Sequence, residues 1–587
     1  MASIADILTH RAGAAFAAQG LPESLGRVVE SGRPDLAPYQ CNGAMAAAKI
    51  AGKPPRAIAE AVAASLQDDA LIESLEIAGP GFINLTPKPD VYADRASALS
   101  KDAKTGAEPV DTPRGVVIDF GGPNVAKPMH VGHLRSSIIG DSLQRLFRFR
   151  GDTVTSDVHL GDWGLQMGQL ITEVARVMPD LPYFDAAFTG PFPDEPPVSM
   201  DDLQLLYPRA SAACKDSKER LEEARQATRD LQSGRAGYVA LWRHFVTVSR
   251  QALEADFNSL GVHFDLWKGE SDVDPLIPGM VEDLKSRGVT HEDQGAWIIP
   301  VDREDEKRDF PPFLLLKSDG AALYETTDLA TILDRKEEQN PDLILYVVDA
   351  RQSDHFEKVF RAADKAGYFD RDQLEHIGFG TMNGPDGKPF KTREGGVLKL
   401  SDLIRMATDK ARARMEEAGL AQDVDAEERE AVARAVGIAA IKFADLSNLR
   451  TTNYVFDLDR FVAFEGKTGP YLLYAAVRIK SMMRKAADAG VKPGDIVIGS
   501  DEEAALVRAL DGFGAAANEA YEKRLPHFLC DHAFRLAQAF SKFYANCPVL
   551  SAEDEAVKAS RLALAALALK QLETVFSLIG IVAPERM

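Results

Sequence analysis

Apolar positions change their spacing along the chain, and the changes mark out elements. At the start Ile4, Ile7 and Leu8 recur at helical spacing, with Ser3 and Asp6 placed as a Ser-x-x-Asp cap, which predicts an amphipathic helix. Helical runs alternate with turn-rich joints as far as about residue 108. An apolar segment, 83–85, follows Gly79-Pro80-Gly81, and a polar stretch over 101–113 closes the region. This predicts a small α+β domain and a linker. From Arg114 the pattern becomes strand (Val116, Val117, Ile118), Gly/Pro/Asn turn, then helix, with Leu134, Ile138, Leu143, Leu146 and Phe147 on one face and Gly151 as its stop. A second strand is read from the alternation of Val154, Val158 and Leu160. Strand, helix and strand in about 45 residues predict a parallel sheet.

A Pro-rich stretch and a long charged helical region, 201–260, interrupt this rhythm, so 176–310 reads as an insertion. The α/β pattern resumes with a buried strand at 343–348, a helix at 354–366 stopped by Gly367, and a strand at 376–379 leading to a Gly/Lys-rich loop at 383–396. Beyond about 425 nearly everything reads as helix. The expected organisation is an α+β N-terminal domain over 1–108, a doubly wound, Rossmann-like α/β domain over 109–410 carrying the insertion, and an all-helical domain over 411–587.

Composition narrows the classes. With 587 residues, 45% hydrophobic and 27% charged, the chain is neither disordered nor fibrous. No run approaches 18 apolar residues, and the N-terminus has no basic leader, so neither a membrane span nor a signal peptide is expected. Cys41, Cys214, Cys530 and Cys547 are far apart with no Cys-x-x-Cys pair, which fits a reducing cytoplasm and no structural zinc. A net charge of −21 excludes a generally basic nucleic-acid coat, but not a local basic face.

The chemistry concentrates at 121–133, GGPNVAKPMHVGH, between the first strand and its helix. Two imidazoles three apart at a helix N-terminus share a face. There the dipole and free backbone N–H groups favour an anion, beyond the carboxyl ends of the strands where α/β ligands bind. Histidines that merely cap or pack at a turn are the alternative this motif leaves open.

PNVAKPMHVGHLRSSIIGD followed by HLGDWGLQMGQ resembles the HIGH region of class I aminoacyl-tRNA synthetases, and specifically the arginyl-tRNA synthetase family. The resemblance continues in order through ALYETTDLA, YVVDARQSDHF, GKPFKTREGG, FEGKTGPYLLYA and the ending IVAPERM. At the front, APYQCNGAM and GPGFINL are similar to the N-terminal domain of that family. The resemblance implies an ATP-dependent arginine–tRNA ligase that forms arginyl-adenylate and passes arginine to the terminal adenosine of tRNA(Arg). The arginine carboxylate is the nucleophile, so catalysis would be positioning and electrostatics.

It also implies roles. His130 and His133 contact ATP phosphates. Lys391 takes the place of the second lysine of a KMSKS loop, with Lys388 at its start; this loop departs from KMSKS at its second, third and fifth positions, and Lys127 resembles the compensating lysine. Asp119, Tyr324 and Asp328 face the guanidinium, and Asn124, His133 and Gln352 hold the rest of the amino acid. A guanidinium calls for bidentate carboxylates, although an Asp beginning a helix is also a common N-cap. Asp119 stands where Glu is common in the family, and Gly121 and Gly122 replace small hydroxyl residues.

For tRNA, residues 467–485 carry Lys467, Arg478, Lys480, Arg484 and Lys485 without an acid, and Tyr471, Tyr474 and Arg478 share one stripe. A second basic excess, seven basic residues against three acidic, runs over 391–414. Phe82 and Asn84 resemble the pair that meets a D-loop base, although Phe82 could equally be core. The cofactor expectation is ATP with Mg²⁺ as substrate, without zinc, an organic cofactor or a protein metal site. The partners are tRNA(Arg), L-arginine and ATP, with no DNA or membrane, for a cytoplasmic monomer. A small-molecule nucleotidylyltransferase of the HIGH superfamily and a non-catalytic tRNA-binding paralogue are the rivals; the long helical C-terminus speaks against the first, and the intact motif residues against the second.

Overall fold

The structure is a computed structural model that describes residues 2–302, 310–384, 386–388 and 398–587. At its centre the strands Gly115–Phe120, Thr153–Asp157, Leu343–Val347 and Leu374–His376 form an all-parallel sheet. Across the sheet these run fourth, third, first, second. Helices cover both faces, so the two central strands are apolar but for Asp119 and alternate between layers. Val116, Ile118, Leu345 and Val347 join the core of the Val131–Arg150 helix, while Val117, Ile344 and Tyr346 join the layer holding Val359 and Phe360. The Val131–Arg150 helix stops where Gly151 takes φ 114°, a left-handed cap that glycine adopts without strain.

Two expectations need correction. The strand read from Val154, Val158 and Leu160 ends at Asp157, because His159 turns to φ 31°; Leu160 then bridges to Gly269 alone. The strand placed at 376–379 is Leu374–His376, set by pairing with Ile344–Tyr346, and Phe379 makes only a single bridge to Asp349. The long helical region is three helices, Met200–Asp216, Lys218–Gln232 and Ala236–Ser259. A three-stranded antiparallel sheet, His291–Asp293, Ala296–Ile299 and Phe313–Leu316, follows them and was not foreseen. Its strands are three and four residues long, too short for periodicity to reveal.

The N-terminal region is a four-stranded antiparallel sheet flanked by helices, the first capped reciprocally by Ser3 and Asp6. It rests on the C-terminal helices, where Asp511 accepts from the Ile4 N–H at 2.8 Å and from Arg95 at 2.5 Å. The C-terminal helices also reach the Val131–Arg150 helix. Arg135, 2% exposed, donates to Asp445 at 3.0 Å and to the carbonyls of Gly380 and Thr452. Lys442, fully buried, meets Asp141 at 3.4 Å and donates to the Gly580 carbonyl at 2.8 Å.

Candidate active site

The turn after the first strand needs unusual backbone. Gly121 has φ 91° and Gly122 φ 42°, conformations that favour glycine, which accounts for glycines where the family's hydroxyl residues are usual. The Gly121 N–H donates to Ser136 Oγ at 2.8 Å, which itself donates to the Val347 carbonyl at 2.6 Å. Asn124 then bridges to Gly161, whose missing side chain is required: a Cβ there would lie 2.3 Å from Asn124 Oδ1.

His130 caps the Val131–Arg150 helix. Its Nδ1 accepts from the Gly132 N–H at 3.0 Å, and His133 Nδ1 accepts from the His130 N–H at 3.2 Å. The rings stack at 4.0 Å. With both Nδ1 atoms accepting, this network assigns the protons to Nε2, so each ring presents a neutral donor outward. Burial, followed by the charges of His130 and Lys127, pushes the pKa of His133 down to about 3. Burial and Lys127 also lower that of His130.

The expectation of free backbone donors at this helix start is corrected. The Val131 N–H donates to the Leu398 carbonyl at 3.1 Å, Gly132 serves His130, and the His133 N–H turns back to the His130 carbonyl at 2.8 Å. The strap at Leu398–Leu400 pairs alongside and takes the first of them and His130 the other two, so an anion here is left to the side chains. Lys127 is half-buried, with Nζ 4.8 Å from the centre of the Tyr207 ring. Lys388 is described, while Lys391 lies outside the described residues.

Acids and their compensating groups gather at the same carboxyl ends of the sheet strands, to the side of the histidine turn. Arg335, 2% exposed, donates through Nη2 to Asp119 Oδ2 at 2.6 Å and to Asp157 Oδ2 at 2.8 Å. Asp119, expected to face a ligand guanidinium, is therefore already engaged by the protein's own. Burial raises the Asp119 pKa against the opposing charge of Arg335; at Asp157 burial is outweighed by Arg335 and His159, and its pKa falls. Asp328 Oδ2 lies 2.6 Å from His355 Nε2, and the Tyr324 ring packs on His355 at 5.0 Å. Tyr324 is 62% exposed. Glu270 completes the acidic wall: burial, aided by Asp162 and Asp328, raises its pKa. Asp328 lies inside the Tyr324–Glu338 helix, whose N-cap is Leu323, so it does not cap that helix. Gln352 is exposed in the short turn Ala350–Gln352.

Sequence reasoning missed Arg335, Asp157 and His355. Arg335 follows Asp328 by seven residues, two helical turns on the same face, and that spacing was a usable signal. Among the described residues, no group of three or more His, Cys, Asp or Glu converges to hold a metal, and no helix is long and apolar enough to cross a membrane.

On the tRNA side the expected stripe lies on the Gly469–Asp488 helix. Tyr474 is 38% exposed, Tyr471 packs edge-on against Phe534, and the Arg478 guanidinium sits 4.0 Å over the Tyr544 ring. The acid-free segment is not acid-free in space. Asp531 pairs with Lys467, and Glu573 and Glu585 both pair with Lys480. In the second basic stretch, Arg405, Lys410, Arg412 and Arg414 all pair with carboxylates. Phe82 is half-buried, whereas Asn84 is 4% exposed and accepts from Gln40 at 2.9 Å.

Three family models match in succession: "Arginyl tRNA synthetase N terminal domain" over residues 3–86, "tRNA synthetases class I (R), catalytic domain" over 95–458, and "DALR anticodon binding domain" over 472–587. The arginine–tRNA ligase of Maricaulis maris (strain MCS10) is 62% identical over 588 residues, and that of Hyphomonas neptunium (strain ATCC 15444) 57% over 589, each match covering 100% of both chains. Among solved structures, arginyl-tRNA synthetase from Plasmodium falciparum superposes with TM-score 0.77 at 25% identity, and that of Thermus thermophilus with 0.75 at 24%; both cover 100% of each chain.

Proposed function

The chain belongs to the class I arginyl-tRNA synthetase family, and from that premise we propose how its residues divide the work. It is an ATP-dependent arginine–tRNA ligase. The observation that carries this is the 62% identity over the whole chain. Arginine binds with its guanidinium toward Asp328, Tyr324 and the free oxygen of Asp119, and with its backbone groups toward Asn124, His133 and Gln352. The ion pair from Arg335 supports this arrangement by leaving one Asp119 oxygen for a ligand. The arginine carboxylate attacks the ATP α-phosphate, displacing pyrophosphate. His130 and His133 donate Nε2–H to phosphate oxygens. Being neutral, they stabilise charge without giving up a proton, which suits a step that needs no general acid. Lys127, Lys388 and Lys391 offset the charge of the departing pyrophosphate. Mg²⁺ enters with ATP as substrate, carried by phosphate oxygens and water.

The terminal adenosine of tRNA(Arg) then takes the arginyl group through its 2′-hydroxyl. Phe82, Asn84, Tyr471, Tyr474 and Arg478 contact the tRNA body, with Tyr474 supported by its exposed ring and Phe82 by one that is half open. The same reading treats the protein as a cytoplasmic monomer that uses neither DNA nor a membrane. Arginine-dependent charging of total tRNA by the purified protein is the test. Charging with arginine alone is expected, and no arginine acceptance by any tRNA overturns it.

A further inference from the structure

The insertion packs into the phosphate-binding turn. Val125 and Ala126, in the middle of GGPNVAKPMHVGH, are 0% and 1% exposed, and they belong to the insertion's own apolar core with Leu203, Leu206 and Phe245. Ala126 holds φ 64°, unusual for a residue with a Cβ, and its N–H donates at 2.9 Å to Ser249 Oγ, itself fully buried on the Ala236–Ser259 helix. The next residue is Lys127. Its ammonium faces the Tyr207 ring of the Met200–Asp216 helix at 4.8 Å, and among the described residues no carboxylate lies within ion-pair distance of it. One turn earlier on the same helix, Gln204 Oε1 accepts from Lys399 Nζ at 2.6 Å, where the strap at Leu398–Leu400 pairs against the histidine turn. A single helix of the insertion thus touches the lysine on one side of the histidines and the strap on the other.

We infer that Tyr207 is a positioning residue for ATP use, holding the Lys127 ammonium beside the histidine pair by a cation–π contact. An aliphatic chain with four rotatable bonds otherwise samples many rotamers in water, and ordering it costs entropy each time phosphate binds. A ring face beneath the ammonium meets that cost before ATP arrives, without a carboxylate that would compete with phosphate for the charge. The inference rests on the reading that Lys127 serves ATP.

The test is the ATP dependence of tRNA charging by the full-length protein with saturating arginine and tRNA. Tyr207→Phe, which keeps the ring, should charge within about twofold of the parent protein. Tyr207→Leu should lower kcat/KM for ATP by about three- to thirtyfold, the range of such contacts, with KM for arginine unchanged. Introduced into Lys127→Ala, Tyr207→Leu should have no further effect. Equal losses in both backgrounds would show that Tyr207 only supports the fold, and overturn the inference. No loss in Tyr207→Leu, with a clear loss in Lys127→Ala, overturns the inference but leaves the reading of Lys127 intact. No loss in Lys127→Ala overturns both. Tyr207→Gln serves as a second ringless variant if Tyr207→Leu lowers the unfolding midpoint.

Discussion

In the site as proposed, the two ends handle charge in opposite ways. At the ATP end the ligand is anionic, and the protein offers neutral imidazoles, backbone spent on internal pairing, and a lysine resting on a ring. At the arginine end the ligand is cationic, and the protein offers acids already half compensated by its own groups, Asp119 and Asp157 by Arg335, Asp328 by His355. The difference follows from what each ligand brings. On that reading ATP brings a metal ion and water with it, so moderate fixed donors suffice, whereas a guanidinium must be met by charge, and carboxylates left unpaired would be costly to keep while the site is empty.

The largest effect should come from the arginine end. Asp328→Ala should cost about 3 to 5 kcal/mol in kcat/KM for arginine, since it leaves the incoming guanidinium without its carboxylate. Asp328→Asn should be nearly as damaging; near-normal charging by that variant would remove Asp328 from the pocket. At the ATP end, His133→Ala should reduce kcat by about 10² to 10³ while arginine binding barely changes. A loss confined to KM for arginine would instead move His133 from the ATP end to the arginine end.

A third prediction separates chemistry from stability, using two histidines held neutral. With His133 pushed down to about 3, kcat should show no acid limb from this ring between about pH 6 and 8. His532, 1% exposed and bonded to Gln571, is pushed down to about 4 by burial. A depressed histidine refuses a proton that the unfolded chain takes up, so its penalty is absent above about pH 6.5 and grows as pH falls toward the folded value. At pH 5 this amounts to about 2 kcal/mol. His532→Gln should flatten the fall in unfolding midpoint between pH 7.5 and 5, with activity at neutral pH retained; an unchanged slope would place the acid sensitivity elsewhere. The smallest effect should be Tyr474→Ala, which should weaken tRNA binding by about 1 kcal/mol, as for one lost stacking contact, with KM for ATP and arginine unaltered.

The same contrast governs what the sequence reveals. The ATP end is carried largely by one contiguous run, and its glycines, histidines and lysine stand out because their spacing is their geometry. The arginine end is assembled from five separate strands and helices. Arg335 passes for an ordinary charged residue of a helix, and only folding brings it under Asp119 and Asp157. Basic stretches mislead for the same reason: Lys467 and Lys480 have no acid near them in sequence, yet Asp531, Glu573 and Glu585 come from other helices to meet them. The sheet and the long helices were legible because burial imposes periods of 2 and 3.6. The short strands over 291–316 were not, because three or four residues cannot display a period.

Lys442 carries one further consequence, which concerns synthesis. Its ammonium finds two partners, Asp141 on the Val131–Arg150 helix and the carbonyl of Gly580, the latter more than 130 positions later in the chain. Until residue 580 has emerged from the ribosome, docking the Ala426–Leu446 helix would strip water from Lys442 with only Asp141 to compensate. The nascent protein should therefore keep this helix undocked through most of translation and close its catalytic core late, in one step, when the last strongly helical stretch arrives. Chains stalled on the ribosome short of Gly580 should leave Lys442 open to amine-reactive labelling, whereas released chains should protect it.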